Sequence, residues 1–284
     1  MTRRALIDSA VDRFHEAEVD SPRRTAEWLL EDLAGIHRAD LYARPDEVVA
    51  GDVLRQLEAA IERRVAGEPL QYILGHAEFY GLDIQVTPAV LIPRPETEEV
   101  VEAALATLEG VEAPWVLDVG TGSGAIALAI RSARPDAEVF AADVSSAALA
   151  VARENAARLD LDLTFVEADA LSPEFTHRVP PTFHLIVSNP PYVPVSEQTT
   201  MQREVRDHEP DLALFVPDEA PLVFYRALAD HAGRILHPGG WLVVETHAAG
   251  GDAVGELLTA HGLADVDVRT DLAGRPRIAL GRRP

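Results

Sequence analysis

The chain has no cysteine and no lysine, and none of its apolar runs reaches the about 18 residues that a membrane-spanning helix needs. Without cysteine, disulfides, thiolate metal sites and cysteine nucleophiles are excluded. The ten histidines are scattered, with no His-x-x-x-His pair and no carboxylate cluster at ligand spacing, so no metal is expected. The opening stretch, Met1-Thr2-Arg3-Arg4-Ala5-Leu6-Ile7-Asp8, meets acid too early to hold the apolar core of a signal peptide. A cytoplasmic protein with no membrane contact is the expectation. Positive charge is also scarce: 47 acids face 25 bases, every one an arginine, for a net charge of −22. Such a surface repels a phosphate backbone, and nucleic-acid affinity rests largely on neutralising phosphates. Direct binding to DNA or RNA is therefore not expected.

What the chain does have is apolar content, 47% over 284 residues, enough for two cores. Residues 3–66 read as helices, with Leu6, Ala10, Phe14 and Ala17 at helical spacing. Ser21-Pro22 offers a cap and a first-turn proline to a second helix through Trp28, Leu29, Leu30 and Leu33. Another helix fits residues 45–65. At Gly67 the pattern changes, and Phe79-Tyr80-Gly81-Leu82-Asp83-Ile84-Gln85-Val86 alternates about a glycine as a hairpin does. From Pro114 strands alternate with helices: strands at 115–119, 137–142, 163–166, 183–187 and 241–245, then edge strands at 266–269 and 277–280. That alternation predicts an α/β fold, a doubly wound and mostly parallel seven-stranded sheet. A long loop, residues 193–217, interrupts it. The expected domains are a helical bundle at 1–74, a β-hairpin linker at 75–92 and the α/β domain at 93–284.

Two stretches carry chemistry. Ser188-Asn189-Pro190-Pro191-Tyr192 stops the apolar strand Phe183-His184-Leu185-Ile186-Val187. Each proline fixes φ and lacks an N–H, and the residue before a proline is pushed out of helical space. The turn is therefore stiff, and it lies at the carboxyl edge of the sheet, where ligands of open α/β folds collect. It presents two acceptors, the Asn189 side-chain oxygen and the Pro190 carbonyl, matched to the two hydrogens of a planar NH2 group. The second stretch, Gly120-Thr121-Gly122-Ser123-Gly124, joins a strand to a helix where backbone must pass close to a ligand. Asp143 ends the next strand, where a carboxylate accepts from ribose hydroxyls. Read as Gly120-x-Gly122-x-x-Ala125, the loop also fits a dinucleotide fingerprint, so the glycines alone leave the nucleoside open. Arg94, held between Pro93 and Pro95, reads as the edge of a pocket.

Asp118 ahead of the loop completes Asp-x-Gly-x-Gly-x-Gly, a spelling that resembles the class I S-adenosylmethionine-dependent methyltransferases. Glu167-Ala168-Asp169-Ala170 puts an acid where those enzymes hold the adenine amino group. Gly67-Glu68-Pro69, Phe79-Tyr80-Gly81, Leu91-Ile92-Pro93-Arg94-Pro95-Glu96-Thr97-Glu98, Asn189-Pro190-Pro191-Tyr192, Glu209-Pro210-Asp211-Leu212-Ala213-Leu214 and Gly274-Arg275-Pro276-Arg277 follow in that order. Nearly end to end, this resembles the peptide chain release factor N5-glutamine methyltransferases. Two departures stand out: Ala170 replaces an aromatic of some members, and Glu245-Thr246-His247 replaces a Glu-x-Gly sequence.

The resemblance implies a Rossmann-like methyltransferase sheet and S-adenosyl-L-methionine as cofactor, with S-adenosyl-L-homocysteine as product. It implies as substrate the Gly-Gly-Gln glutamine of class 1 peptide chain release factors, docked by the helical domain. A ribosomal-protein glutamine and, further off, adenine N6 of a nucleic acid are the other planar amines the turn could serve. Implied cofactor residues are Gly120, Thr121, Gly122, Ser123, Gly124, Asp143, Asp169, Ala170 and Asn189. Asn189, Pro190 and Tyr192 are implied as catalytic; Pro191, Leu91 and Arg94 join them in the substrate site.

The acid excess predicts a fold that salt stabilises, because screening shortens the reach of self-repulsion from about 10 Å at 0.1 M to about 3 Å at 1 M. A salty host cytoplasm and a GC-rich genome each account for the arginine-only composition. The midpoint of thermal unfolding is expected to climb between low and molar KCl; no gain would count against a salt-adapted surface.

Overall fold

The computed structural model describes residues 1–271 and 273–284. The chain divides into two compact units, Met1–His76 with Met201–His208, and Ala77–Thr200 with Glu209–Pro284. The first is built on α1 (Arg3–Glu16), α2 (Pro22–Ala34), α3 (Arg38–Ala43), α4 (Gly51–Val65) and α5 (Leu70–Leu74). Thr2 caps α1, its hydroxyl accepting the Ala5 N–H at 3.3 Å. Leu6, Ala10 and Phe14 of α1 share one core with Leu29 and Leu30 of α2 and Leu57 and Ile61 of α4.

Two sequence expectations change here. The helix expected over 45–65 starts only at Gly51. Its forerunners are drawn out against the chain's start: Arg3 N–H donates to the Glu47 carbonyl at 3.0 Å, Arg4 N–H to Pro45 at 2.9 Å, and Val49 N–H to Met1 at 3.1 Å. Ser21 takes left-handed backbone, φ 49°, and its side chain makes no cap, so Pro22 alone sets the first turn of α2. Two buried charged side chains of this unit, Glu27 and Arg64, are held by partners. Glu27 accepts from Arg38 at 3.0 Å and from the Tyr42 hydroxyl at 2.6 Å. The buried Arg64 guanidinium donates to the Glu68 carbonyl at 2.8 Å and to the carboxylate of Glu204, in the short helix Arg203–His208.

The second unit takes up the chain in the hairpin of β1 (His76–Phe79) and β2 (Leu82–Gln85), which turns through Tyr80 and Gly81, both at positive φ as a two-residue hairpin loop requires. In order there follow α6 (Pro95–Thr107), β3 (Trp115–Val119), α7 (Ala125–Ala133), β4 (Glu138–Asp143), α8 (Ser146–Arg158), β5 (Thr164–Glu167), α9 (Phe175–Arg178), β6 (Phe183–Ser188) and β7 (Val193–Pro194). Beyond the Arg203–His208 helix, α10, come α11 (Asp211–Leu214), β8 (Phe215–Val216), α12 (Val223–Ile235), β9 (Leu236–Glu245), α13 (Gly251–Ala260), β10 (Ala264–Thr270) and β11 (Pro276–Arg282).

Seven strands form one sheet in the order β10-β11-β9-β6-β3-β4-β5, with β9 to β5 parallel and β11 reversed, pairing antiparallel with both β9 and β10. Apolar runs bury β3 and β6 on both faces, as central parallel strands demand. The chain lays β3, β4 and β5 outward, then returns to set β6 against the other side of β3. A crevice opens at the carboxyl ends of β3 and β6, where the order reverses.

The expected loop 193–217 is not featureless. Val193 pairs with Phe215 and Pro194 with Val216, and residues 195–200 form a 3-10 turn. β9 begins at Leu236 rather than 241, with a register shift against β6 at Phe183/Leu185. Gly240 fits there because a Cβ would stand 2.9 Å from the His184 carbonyl. On the other flank, Asn155 of α8 is fully buried and ties β2 to the glycine loop. Its Oδ1 accepts Gln85 N–H at 2.7 Å, and its Nδ2 donates to the Gln85 and Ser123 carbonyls at 3.0 and 2.9 Å. The cofactor-type loop is thereby held from both sides.

Candidate active site

At the carboxyl ends of β3 to β6 lies a cavity of about 330 Å³. That is the size range of a small-molecule pocket. β3 ends at Val119, and the chain turns back across β4: the N–H groups of Gly120 and Thr121 both donate to the Ala142 carbonyl, at 2.8 and 3.0 Å. Gly120 and Gly122 take positive φ, 74° and 55°, with open space where a Cβ would stand. Gly124 differs. It also has positive φ, but a Cβ there would stand only 3.2 Å from the side chains of Ala152 and Leu128, and it does not line the cavity.

Beneath this loop sits Asp118, fully buried. Its Oδ2 accepts the Thr121 hydroxyl at 2.6 Å and Ala127 N–H at 3.2 Å, while Oδ1 has no partner among the described residues. Burial pushes its carboxyl up to about 7 against those hydrogen bonds, and the nearby charge of Asp143 adds to the rise. Asp143 accepts Gly122 N–H and Ser145 N–H, both at 2.9 Å, and burial raises its carboxyl too. It both shapes the glycine loop and faces the cavity.

Beyond β5, Asp169 Oδ1 accepts Leu171 N–H at 2.8 Å in a tight turn, and Asp169, Ala170 and Leu171 line the cavity with Ala168. His231 of α12 fixes this turn, its Nε2 lying 2.8 Å from the Ala170 carbonyl while its ring stacks on Phe175. Burial lowers the imidazole's proton affinity, so Nε2–H of the neutral ring is the donor. Val144 and Leu171 remain exposed apolar groups at the cavity wall.

The third wall is the turn after β6. Ser188 donates to the Val119 carbonyl at 2.6 Å, tying the ends of β6 and β3 together. Asn189, Pro190 and Pro191 line the cavity, and Asn189 Nδ2 donates to Thr97 Oγ1 at 3.3 Å. Leu91 and Arg94 also line it. Arg94 is braced rather than free: its Nη2 donates to Glu209 Oε1 at 2.5 Å, while Glu209 Oε2 accepts Ile92 N–H at 3.2 Å.

Tyr192 departs from expectation. Implied by the resemblance as catalytic and part of the substrate site, it does not line the cavity but turns its hydroxyl to Glu245 Oε1 at 3.1 Å, since a buried phenol needs an acceptor. Burial and the Glu245 charge hold that phenol above its ordinary range.

Sequence reasoning did not assign Thr97, Glu209, Glu245 or the apolar Phe79, Leu212 and Phe224 to the site. Thr97 was hidden in a first helical turn whose acids explain themselves by the helix dipole. Glu245 carried a signal, an acid closing the apolar run Trp241-Leu242-Val243-Val244 that must be paired if buried, whereas Glu209, between His208 and Pro210, carried none.

Residues 5–75 match the PrmC N-terminal domain family, and residues 100–208 the methyltransferase small domain family. A Koribacter versatilis protein named release factor glutamine methyltransferase is 42% identical over 285 residues, covering 100% of this chain and 99% of that one. The chain belongs to the release factor glutamine methyltransferase family. Proteins of the same name from Deinococcus radiodurans and Moorella thermoacetica are 42% and 43% identical, again over 100% of this chain and 99% of theirs. Among solved structures, a methyltransferase from Pyrococcus furiosus shares the fold: TM-score 0.52, 17% identity, 81% of this chain and 98% of that one. This family member is therefore a methyltransferase, with the doubly wound sheet and the N-terminal helices that its sequence predicts.

Asp118 gives the fold a pH dependence. Its raised folded pKa makes its contribution to stability full below the unfolded value near 3.8 and lost as pH rises through about 7. Asp118→Asn cannot ionise. In ligand-free protein the wild type is expected to lose stability relative to this variant between pH ~4 and ~7, by up to about 4 kcal/mol. Urea titrations across that range provide the check, and a difference that ignores pH would mean that the carboxyl keeps its ordinary value.

Proposed function

We propose that this methyltransferase acts on the side-chain amide nitrogen, N5, of the Gly-Gly-Gln glutamine in class 1 peptide chain release factors, in the cytoplasm, with S-adenosylmethionine as donor. The observation that carries the reading is Asn189. Its NH2 is engaged by Thr97, which leaves Oδ1 as the atom it offers the cavity, beside the carbonyl of Pro190. A substrate amide brings two N–H hydrogens, and these two acceptors match them. The full-length similarity to proteins named for this reaction supports the choice of amine.

The residues fit a nucleoside-type donor. Carboxylates of Asp143 and Asp169 can accept from ribose hydroxyls and from an adenine amino group, and Val144, Ala148, Ala170 and Leu228 offer apolar faces to a flat base. Gly120, Thr121, Gly122 and Ser123 bring backbone along the remaining length, while Gly124 serves by close packing against α8. When bound, S-adenosylmethionine supplies an electrophilic methyl group.

An amide nitrogen is a weak nucleophile because its lone pair is delocalised into the carbonyl, so orientation matters more than a base. Asn189 Oδ1 and the Pro190 carbonyl hold both hydrogens and thereby aim the nitrogen. The same two dipoles stabilise positive charge growing on it. Leu91 and Pro191 exclude water from the slot. Arg94, braced by Glu209, borders the entry. The helical unit is assigned the docking of the protein substrate.

Intact-mass analysis of unmethylated release factor after incubation with enzyme and donor tests the reaction: one added methyl on the Gly-Gly-Gln glutamine is expected, and none would refute it. Asn189→Ala is expected to lower turnover by about 10²–10³-fold with donor affinity nearly unchanged. Near-wild-type turnover would remove Asn189 from its role. Asp143→Ala should instead weaken donor binding in calorimetry, and unchanged affinity would overturn the ribose assignment.

A further inference from the structure

An asparagine side chain has two nearly isosteric faces, one oxygen and one NH2, and its neighbours decide which points where. At the cavity only one choice works, since an outward NH2 would meet the NH2 of a substrate amide donor to donor. From the geometry we infer that Thr97 and Glu245 are positioning residues that lock the Asn189 amide with its oxygen outward. This inference rests on the reading of Asn189 as the orienting acceptor.

The locking follows from counting protons. Thr97 Oγ1 lies 2.6 Å from Glu245 Oε2 and 3.3 Å from Asn189 Nδ2. A hydroxyl has one proton to give. An ionised carboxylate can only accept, so that proton goes to Glu245 and the lone pairs of Oγ1 face Asn189. Only the NH2 end of Asn189 can meet them. Direction is therefore imposed at Glu245 and passed through one hydroxyl to the atom that faces substrate.

Glu245 is itself immobilised. Its second oxygen accepts from Tyr192 at 3.1 Å, with Arg277 Nη1 4.0 Å away, and its backbone carbonyl accepts from the Tyr225 hydroxyl at 3.0 Å. Glu245 ends β9, the strand next to β6, and Thr97 stands in the first turn of α6. Strand, helix and turn thus meet at a single buried carboxylate. Tyr192 belongs to this bracing, which accounts for its turning away from the cavity.

The test is steady-state methylation of unmethylated release factor by Thr97→Val, Thr97→Ser, Glu245→Gln and Asn189→Ala, with calorimetric S-adenosylmethionine affinity and melting temperature for each. Valine keeps the volume of Thr97 and removes the hydroxyl. Its kcat is expected to fall ~10- to 10²-fold, the scale of a misdirected reacting group, with donor affinity and KM for the release factor close to wild type. Serine, which keeps the hydroxyl, is expected to restore most of the turnover. Glutamine at 245 can donate to Thr97 as well as accept, so it should lower kcat likewise. Wild-type turnover in Thr97→Val beside a crippled Asn189→Ala would overturn the lock and leave the role of Asn189 standing. Equal losses in the valine and serine variants would also overturn it, pointing to packing alone. An active Asn189→Ala would instead remove the underlying reading.

Discussion

A carboxylate taken out of water must collect hydrogen-bond donors or give up its charge. Four acids of the α/β unit live under that constraint around one crevice, and each recruits donors from a different stretch. Asp118 takes the Thr121 hydroxyl and the Ala127 N–H; Asp143 takes N–H groups of Gly122 and Ser145. Glu209 takes Arg94 and Ile92, and Glu245 takes Thr97 and Tyr192. The glycine loop, the proline-flanked arginine and the first turn of α6 adopt their shapes because these donors must arrive. The cavity is the space they leave between them.

The arrangement has an electrostatic benefit. Dipoles fixed in a dry, low-dielectric site act far more strongly on developing charge than the same groups in water. The cost is visible in the acids: burial raises Asp118, Asp143 and Glu245 alike. Methyl transfer to an amide asks for little proton chemistry and much alignment. A framework of buried acceptors holding hydroxyls and N–H groups suits that demand.

The parts of the site legible in the sequence are those fixed by short-range rules. Proline after proline stiffens a turn whatever surrounds it, and Gly120 and Gly122 announce positive φ by having no side chain. Asp143 follows from strand periodicity. The helix expected over 45–65 forms only from Gly51, because backbone pairing of residues 45–49 with the chain's start prevailed over local helix propensity there. Thr97 and Glu245 escaped for another reason. Their partners lie 92 and 148 residues away, and no periodicity links a threonine in a helix to an acid at the end of a distant strand. Tyr192 was placed among the catalytic residues by its position in the Asn-Pro-Pro-Tyr turn, whereas its hydroxyl had a stronger claim on its direction.

The pairing of Arg64 with Glu204 bears on how the protein is made. A chain emerges from its N-terminus and tends to fold domain by domain as it appears. Here the buried guanidinium of α4 waits for a carboxylate 140 residues further on. By then β3, β4, β5 and β6 have all been synthesised. The helical unit, first in the sequence, is therefore among the later parts to be completed, and its last helix arrives from within the sheet-forming half of the chain.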